Sequence, residues 1–224
     1  MLPLEQIIAF LAVAVALTLM PGPDILFVAA QSVSRSARSG IAVALGLCTG
    51  LIVHTSLAAG GISAVVLSSP VAFRLVKALG ALYLLYLAWK AVSGIRRNDG
   101  GETAASPATP QPAAGAAEAA GERLPALYRR GILMSTLNPK VSLFFLALLP
   151  QFVTPAAGSV PLQMIQLGAL FMAQALAVFT VVALLAGRIG RSLMNRSPKW
   201  TARFAVAEAV IYAGLAVNLL LTGN

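Results

Sequence analysis

The sequence predicts an all-α polytopic membrane protein with about six transmembrane helices arranged as two inverted three-helix repeats. Three observations carry this. First, 58% of the 224 residues are apolar and only 10% are charged, whereas a soluble domain carries roughly 25% charged residues. Second, charge-free runs separate Glu5 from Asp24, Arg38 from Arg74, and Lys140 from Arg188. A helix crosses the hydrocarbon core in about 20 residues, so the second run holds one span and the third holds one span and part of another. Third, a proline break recurs at matching places on either side of a polar linker. Mean hydropathy is +0.85.

In chain order, segment one covers residues 4–33 and is interrupted at Pro21-Gly22-Pro23. Segment two is 40–67, and segment three is 71–92, opening after Pro70. Segment four is 131–153, interrupted at Asn138-Pro139, followed by segment five at 161–187 and segment six at 204–222. Main-chain polar groups in lipid must be satisfied within the segment, so these are helices. Residues 1–97 form the first expected repeat and 129–224 the second. Between them, 98–128 is expected to be a disordered cytoplasmic linker. Its stretch from Asn98 to Glu122 is rich in Ala, Gly and Pro and lacks aromatic residues, so it cannot bury enough surface to fold.

Topology follows from Lys and Arg. Loop one carries Arg35 and Arg38, loop three carries Arg96, Arg97, Arg123, Arg129 and Arg130, and loop five carries Arg188, Arg191, Arg196 and Lys199. Only Arg74 and Lys77 dissent. The positive-inside rule places these loops in the cytoplasm and both termini outside. The net charge of +9 therefore reads as topology and anionic lipid, and no nucleic-acid partner is expected. No basic n-region or small-residue cleavage site opens the chain, so the first segment is expected to be retained as a helix. The one cysteine, Cys48, permits no internal disulfide or CxxC pair. One His and one Cys make no conventional metal site, so no metal is expected. No nucleotide-binding or Ser-His-acid pattern occurs, and neither a cofactor nor an enzyme activity is expected.

The two breaks carry the chemistry. Thr18-Leu19-Met20-Pro21 aligns with Thr136-Leu137-Asn138-Pro139 at an offset of 118, and Phe27 falls on Phe145. Matched helix breaks in inverted halves point to a transporter binding site. Prolines around Gly22 break the helical ladder and free carbonyls. Asp24 opens the second half-helix, where the dipole favours an acid. It is either a solvated cap at a kink or a site for a substrate ammonium or coupling proton. Asn138 suits an N-cap and Pro139 suits N1. Lys140 either snorkels to the headgroups or joins free N–H groups in holding a carboxylate. Asp24 and Lys140 can pair in the absence of substrate, and a zwitterionic amino acid would replace each partner. The candidate substrate-binding residues are thus Asp24, Pro21, Gly22, Pro23, Asn138, Pro139 and Lys140.

Gly46, Gly50 and His54 share one stripe of segment two. The glycines permit close helix packing. His54 is a proton-relay candidate, or it hydrogen-bonds a neighbouring helix. Glu208 lies near Arg203 and Lys199, and Gln166 and Gln174 are polar residues of segment five. Tyr83, Tyr86 and Trp89 suit packing and interface anchoring.

These motifs resemble the LysE/RhtB family of amino-acid exporters. The resemblance rests on the Pro-Gly-Pro-Asp break, the glycine-rich stretch from Gly40 to Gly61 with His54, and the stretch from Lys77 to Tyr86. It extends through Asn138-Pro139-Lys140 to Phe144-Phe145 and Pro150-Gln151-Phe152. It covers nearly the whole chain except the linker, which is longer than the family pattern. The resemblance implies a multi-pass exporter of the bacterial inner membrane, moving amino acids or close derivatives on an ion (proton) gradient without ATP. It implies that both breaks lie near the transport path. The expected partners are an amino-acid substrate and the bilayer, with a homodimer as an option. A neutral zwitterion fits a single deep acid better than a dibasic substrate. The alternatives are a non-transporting structural or regulatory membrane subunit and, disfavoured by the single cysteine, an electron or thiol carrier.

Overall fold

The computed structural model describes residues 2–20, 22–62 and 123–189, with single positions between 69 and 93 and between 210 and 217. Pro21, linker residues 98–122, and most of segments three and six lie outside the described residues. Among the described residues every regular element is helical.

Helix α1 (Leu4–Leu19) starts after Pro3 and ends at extended Met20. Gly22 is extended, and Pro23 opens α2 (Pro23–Ser34) at a position where a missing N–H costs nothing. Together the two helices are long and apolar enough for one candidate span, bent by 57° at the break. Helix α3 (Ala37–Leu57) is capped by the Ser36 side chain, which accepts from the Ser39 N–H, and continues as a π turn over Ala58–Ile62. Helix α4 (Leu124–Thr136) is followed by α5 (Pro139–Leu143), then by a π turn over Phe144–Leu148 and a 3-10 turn over Leu149–Phe152. This second broken span bends by 48°. Helix α6 (Val160–Ile189) is unbroken for 30 residues. The chain is an all-α polytopic membrane protein; among the described residues two helices are long and apolar enough to cross a membrane, and the count rises to four where each bent pair is one span.

Segments one, two, four and five of the sequence reading correspond to α1/α2, α3, α4/α5 and α6. One boundary differs. Helix α4 opens at Leu124, so residues 124–128 are helical rather than linker. The cause is packing. Leu127 is fully buried, and the Tyr128 hydroxyl lies 3.0 Å from Thr49 Oγ1 of α3. The charges of Arg129 and Arg130 obscured this start in the sequence.

Helix directions follow from the contacts. Gly46 faces Tyr128 and Gly131, and Gly50 faces Ser135, so α3 and α4 run parallel. Gly40 faces Ala183 and Gly187 faces Ala37, so α6 runs antiparallel to α3. At the other end, Gln6 Nε2 donates to Thr154 Oγ1 at 2.7 Å, and the Phe10 ring lies 5.3 Å from that of Phe152. The first and fourth spans are therefore antiparallel. Large apolar side chains such as Leu26, Ile52, Leu133 and Val181 are exposed and suit lipid contact.

Lipid offers helices no hydrophobic reason to associate, so close backbone packing has to hold them. The seam between α3 and α4 meets this need. A Cβ on Gly131 would stand 2.5 Å from Val43 O and 2.9 Å from Leu47 N, and one on Gly50 would stand 2.6 Å from Ser135 Cβ. No side chain fits without parting the helices. Gly131→Leu is therefore expected to cost at least about 1–3 kcal/mol, read as a lower thermal midpoint in detergent. Gly60→Ala should leave the midpoint unchanged or raised, because nothing lies within 4 Å of a Cβ there. Equal midpoints for the two variants would contradict the seam.

Candidate functional site

Each break is written in the chemistry of proline. Pro21 and Pro23 have no N–H, so the carbonyls of Leu17 and Leu19 lose their helical donors. Pro21 itself lies outside the described residues. Gly22 adopts φ −145° and ψ 177°, which ends α1 and lets α2 begin with Asp24 in its first turn. In the fourth span, Pro139 deprives the Ser135 carbonyl of its donor four residues on. Two other groups replace it. Asn138 N donates to Ser135 O at 3.0 Å, and His54 Nε2 reaches the same oxygen at 2.9 Å. A carbonyl only accepts, so His54 carries its proton on Nε2. His54 is 4% exposed, and it serves the neighbouring helix as a donor.

The breaks lie at the same level. From Arg35 back to Gly22, α2 is about 18 Å long, and from Arg123 to Asn138, α4 is about 20 Å long. They also touch. Asn138 Nδ2 donates to Asp24 Oδ2 at 2.7 Å, joining residues 114 apart in sequence. Asn138 Oδ1 accepts from the Lys140 N–H at 3.0 Å, which makes Asn138 the N-cap of α5. One amide side chain thus caps its own half-helix and bonds the acid of the opposite span.

Lys140 extends across the gap to Gly22, where a Cβ would lie 3.6 Å from Nζ. Gly22, Pro23, Asp24, Asn138 and Lys140 line one cavity. Pro139 is outside this lining and acts by breaking the ladder. The Asp24 side chain accepts a hydrogen bond from Asn138 at Oδ2, and its Oδ1 is enclosed with no hydrogen-bond partner. The free N–H groups expected at α5 are narrowed, because Asn138 already occupies that of Lys140. A carboxylate and an ammonium in one cavity complement the two charges of a zwitterion.

The cavity measures about 30 Å³, room for the centres of one or two waters and too little for an amino acid. Aromatic groups pack between the spans on either side of the breaks, and of these Phe171 lines the cavity. On the side of the α1 N-terminus, Phe10, Phe144, Phe145 and Phe171 pack with ring centroids 5.1–6.5 Å apart. On the other side, the Arg130 guanidinium lies 4.9 Å from the centre of the Phe27 ring, bridging the first and fourth spans.

Several site residues were missed in the sequence. Thr18 lines the cavity and accepts from Gln174 Nε2 at 2.9 Å, while its own hydroxyl donates to Ala14 O at 2.8 Å. Ser135 gave no signal of its own, because its role arises from Pro139 four residues later. Phe171, Ala175 and Phe179 line the cavity from α6. Their spacing of four was legible, but core packing has the same pattern. Gln166 is exposed and away from the site, and Glu208, Arg203 and Lys199 lie outside the described residues.

The family described as LysE type translocator matches residues 15–223. The leucine efflux protein of Salmonella choleraesuis is 32% identical over 148 residues, covering 66% of this chain and 63% of that protein. The leucine efflux protein of Klebsiella pneumoniae is 30% identical over 146 residues, covering 65% of this chain and 62% of that protein. The chain thus spans less than two thirds of the length of the curated relatives it matches. No solved structure matches it. With its family match running from the last turns of α1 almost to the final residue, the chain belongs to the LysE type translocators.

Proposed function

We propose that this chain is a secondary transporter that exports amino acids or close derivatives across the bacterial inner membrane, driven by a proton gradient. The observation that carries the reading is the single cavity in which Asp24, Asn138 and Lys140 converge from two broken, antiparallel spans. The relatives named leucine efflux proteins support a neutral aliphatic substrate. In this reading the substrate ammonium goes to Asp24 and its carboxylate to Lys140. The chain is a carrier, with no catalytic step.

Two inverted repeats, 1–97 and 129–224, with loops one, three and five in the cytoplasm, fit the observed helix directions. The cavity is too small for leucine as it stands, so the bent spans must part to load it. Parting them at the Arg130–Phe27 contact opens one side, and parting them at the phenylalanine cluster opens the other. This is alternating access about a fixed site. His54 is bonded to Ser135 O, which favours a donor that holds the break over a group that carries the coupling proton. Among the described residues lining the cavity, Asp24 is then the group assigned to proton coupling.

Two outcomes test this. In inverted membrane vesicles with an imposed proton gradient, the wild-type chain should accumulate labelled leucine, and Asp24→Asn should lower the rate about 10- to 100-fold. That range corresponds to losing one charge-assisted contact of about 1.5–3 kcal/mol. Wild-type rates in Asp24→Asn would remove the site, and no transport of any amino acid by the wild type would favour a structural subunit. For His54, Gln keeps an N–H donor while Leu does not. His54→Gln should retain most transport and His54→Leu should lose it. Loss in both, with intact thermal midpoints, would return His54 to the proton path.

A further inference from the structure

We propose that Ala175, set between Phe171 and Phe179 on α6, fixes the size of the substrate side chain. The proposal rests on the amino-acid export reading and deepens it. The two charged groups at the cavity, Asp24 and Lys140, belong to the breaks of the first and fourth spans. The lining contributed by α3 and α6 is wholly apolar, with Leu47 and Leu51 from α3 and Phe171, Ala175 and Phe179 from α6. On this proposal a zwitterion with its charged end at the breaks lays its side chain against α3 and α6.

On that wall the α6 residues fall at i, i+4 and i+8, one above another on one helix face. Phe171, Ala175 and Phe179 are 4%, 1% and 6% exposed, so the face is turned wholly inward. Ala175 sets the smallest side chain of this face between two phenyl rings, and this step is the notch that the proposal assigns to the substrate side chain. The notch is rigidly placed, because α6 is an unbroken helix and Gly168 and Gly187 seat it tightly on α3 near both ends. Its contrast with the bent spans matters: the breaks bind the part common to all amino acids, and the straight helix measures the part that differs.

The test uses the purified full chain in liposomes and initial rates for labelled leucine, alanine and phenylalanine. Filling the notch with Ala175→Leu should lower the leucine-to-alanine rate ratio about tenfold or more, as expected when an apolar pocket loses room for several methylenes. Widening it with Phe179→Ala should raise the phenylalanine-to-leucine ratio by about the same factor. Ratios within twofold of wild type in both variants would overturn the assignment. Where Ala175→Leu transports nothing, Phe179→Ala decides alone, with a raised ratio sustaining the proposal and an unchanged one overturning it. Wild-type transport of leucine with unchanged variant ratios would defeat this inference only. A wild type that moves no amino acid would defeat the export reading beneath it.

Discussion

The structure depends on one constraint: a main-chain carbonyl released in the middle of a membrane span must find a donor. Leaving it unpaired in hydrocarbon costs several kcal/mol, comparable to a large share of a whole domain's stability. Two spans of this protein carry proline breaks that release such carbonyls. Neither break can face lipid, so each must turn inward, and at the same level they meet. Asn138 shows how far one side chain can serve this need. It caps α5, donates to Asp24, and its own N–H helps satisfy Ser135 O.

Packing and polar repair are then linked through α3. Gly46 and Gly50 bring the α3 backbone against α4 with no intervening side chain. One turn further on the same stripe, His54 reaches Ser135 O at 2.9 Å. An imidazole is short. With larger residues at the glycine positions the two helices would stand farther apart, and the released carbonyl would lie out of reach. The small residues therefore serve the break as well as the seam, and the stripe acts as a unit although its members differ in chemistry.

Much of this was legible in the sequence. The charge-free runs marked the spans, because charges are scarce enough here for their absence to have meaning. The Pro-Gly-Pro and Asn-Pro breaks could be read because proline acts on its own local backbone, and the Asn138 cap followed from the same local rules. What could not be read were relations across the bilayer plane. The bond from Asn138 to Asp24 spans 114 residues and that from His54 to Ser135 spans 81, and no spacing rule connects them. Tyr128 illustrates a different limit. Its neighbours Arg129 and Arg130 suggested a loop, yet it is packed on Thr49 within a helix. Charged residues one turn inside a helix end mask its start in any reading based on hydropathy.

The contacts also constrain how the protein can move on the export reading. The most intimate seam joins α3 to α4, which come from opposite halves of the sequence, with backbone against backbone over two turns. Separating it would expose carbonyls and undo the His54 bond together. At the two breaks, the described contacts include a hydrogen bond from Asn138 to Asp24 and, farther along, a cation–π contact from Arg130 to Phe27. Such contacts are worth roughly 1.5–3 kcal/mol and 0.5–2 kcal/mol, and a substrate ammonium can replace the first. A bound zwitterion thus compensates for what its entry disrupts at the breaks, whereas nothing in the substrate can compensate for an opened glycine seam. On the export reading, α3 and α4 are therefore the pair expected to stay together while the site loads.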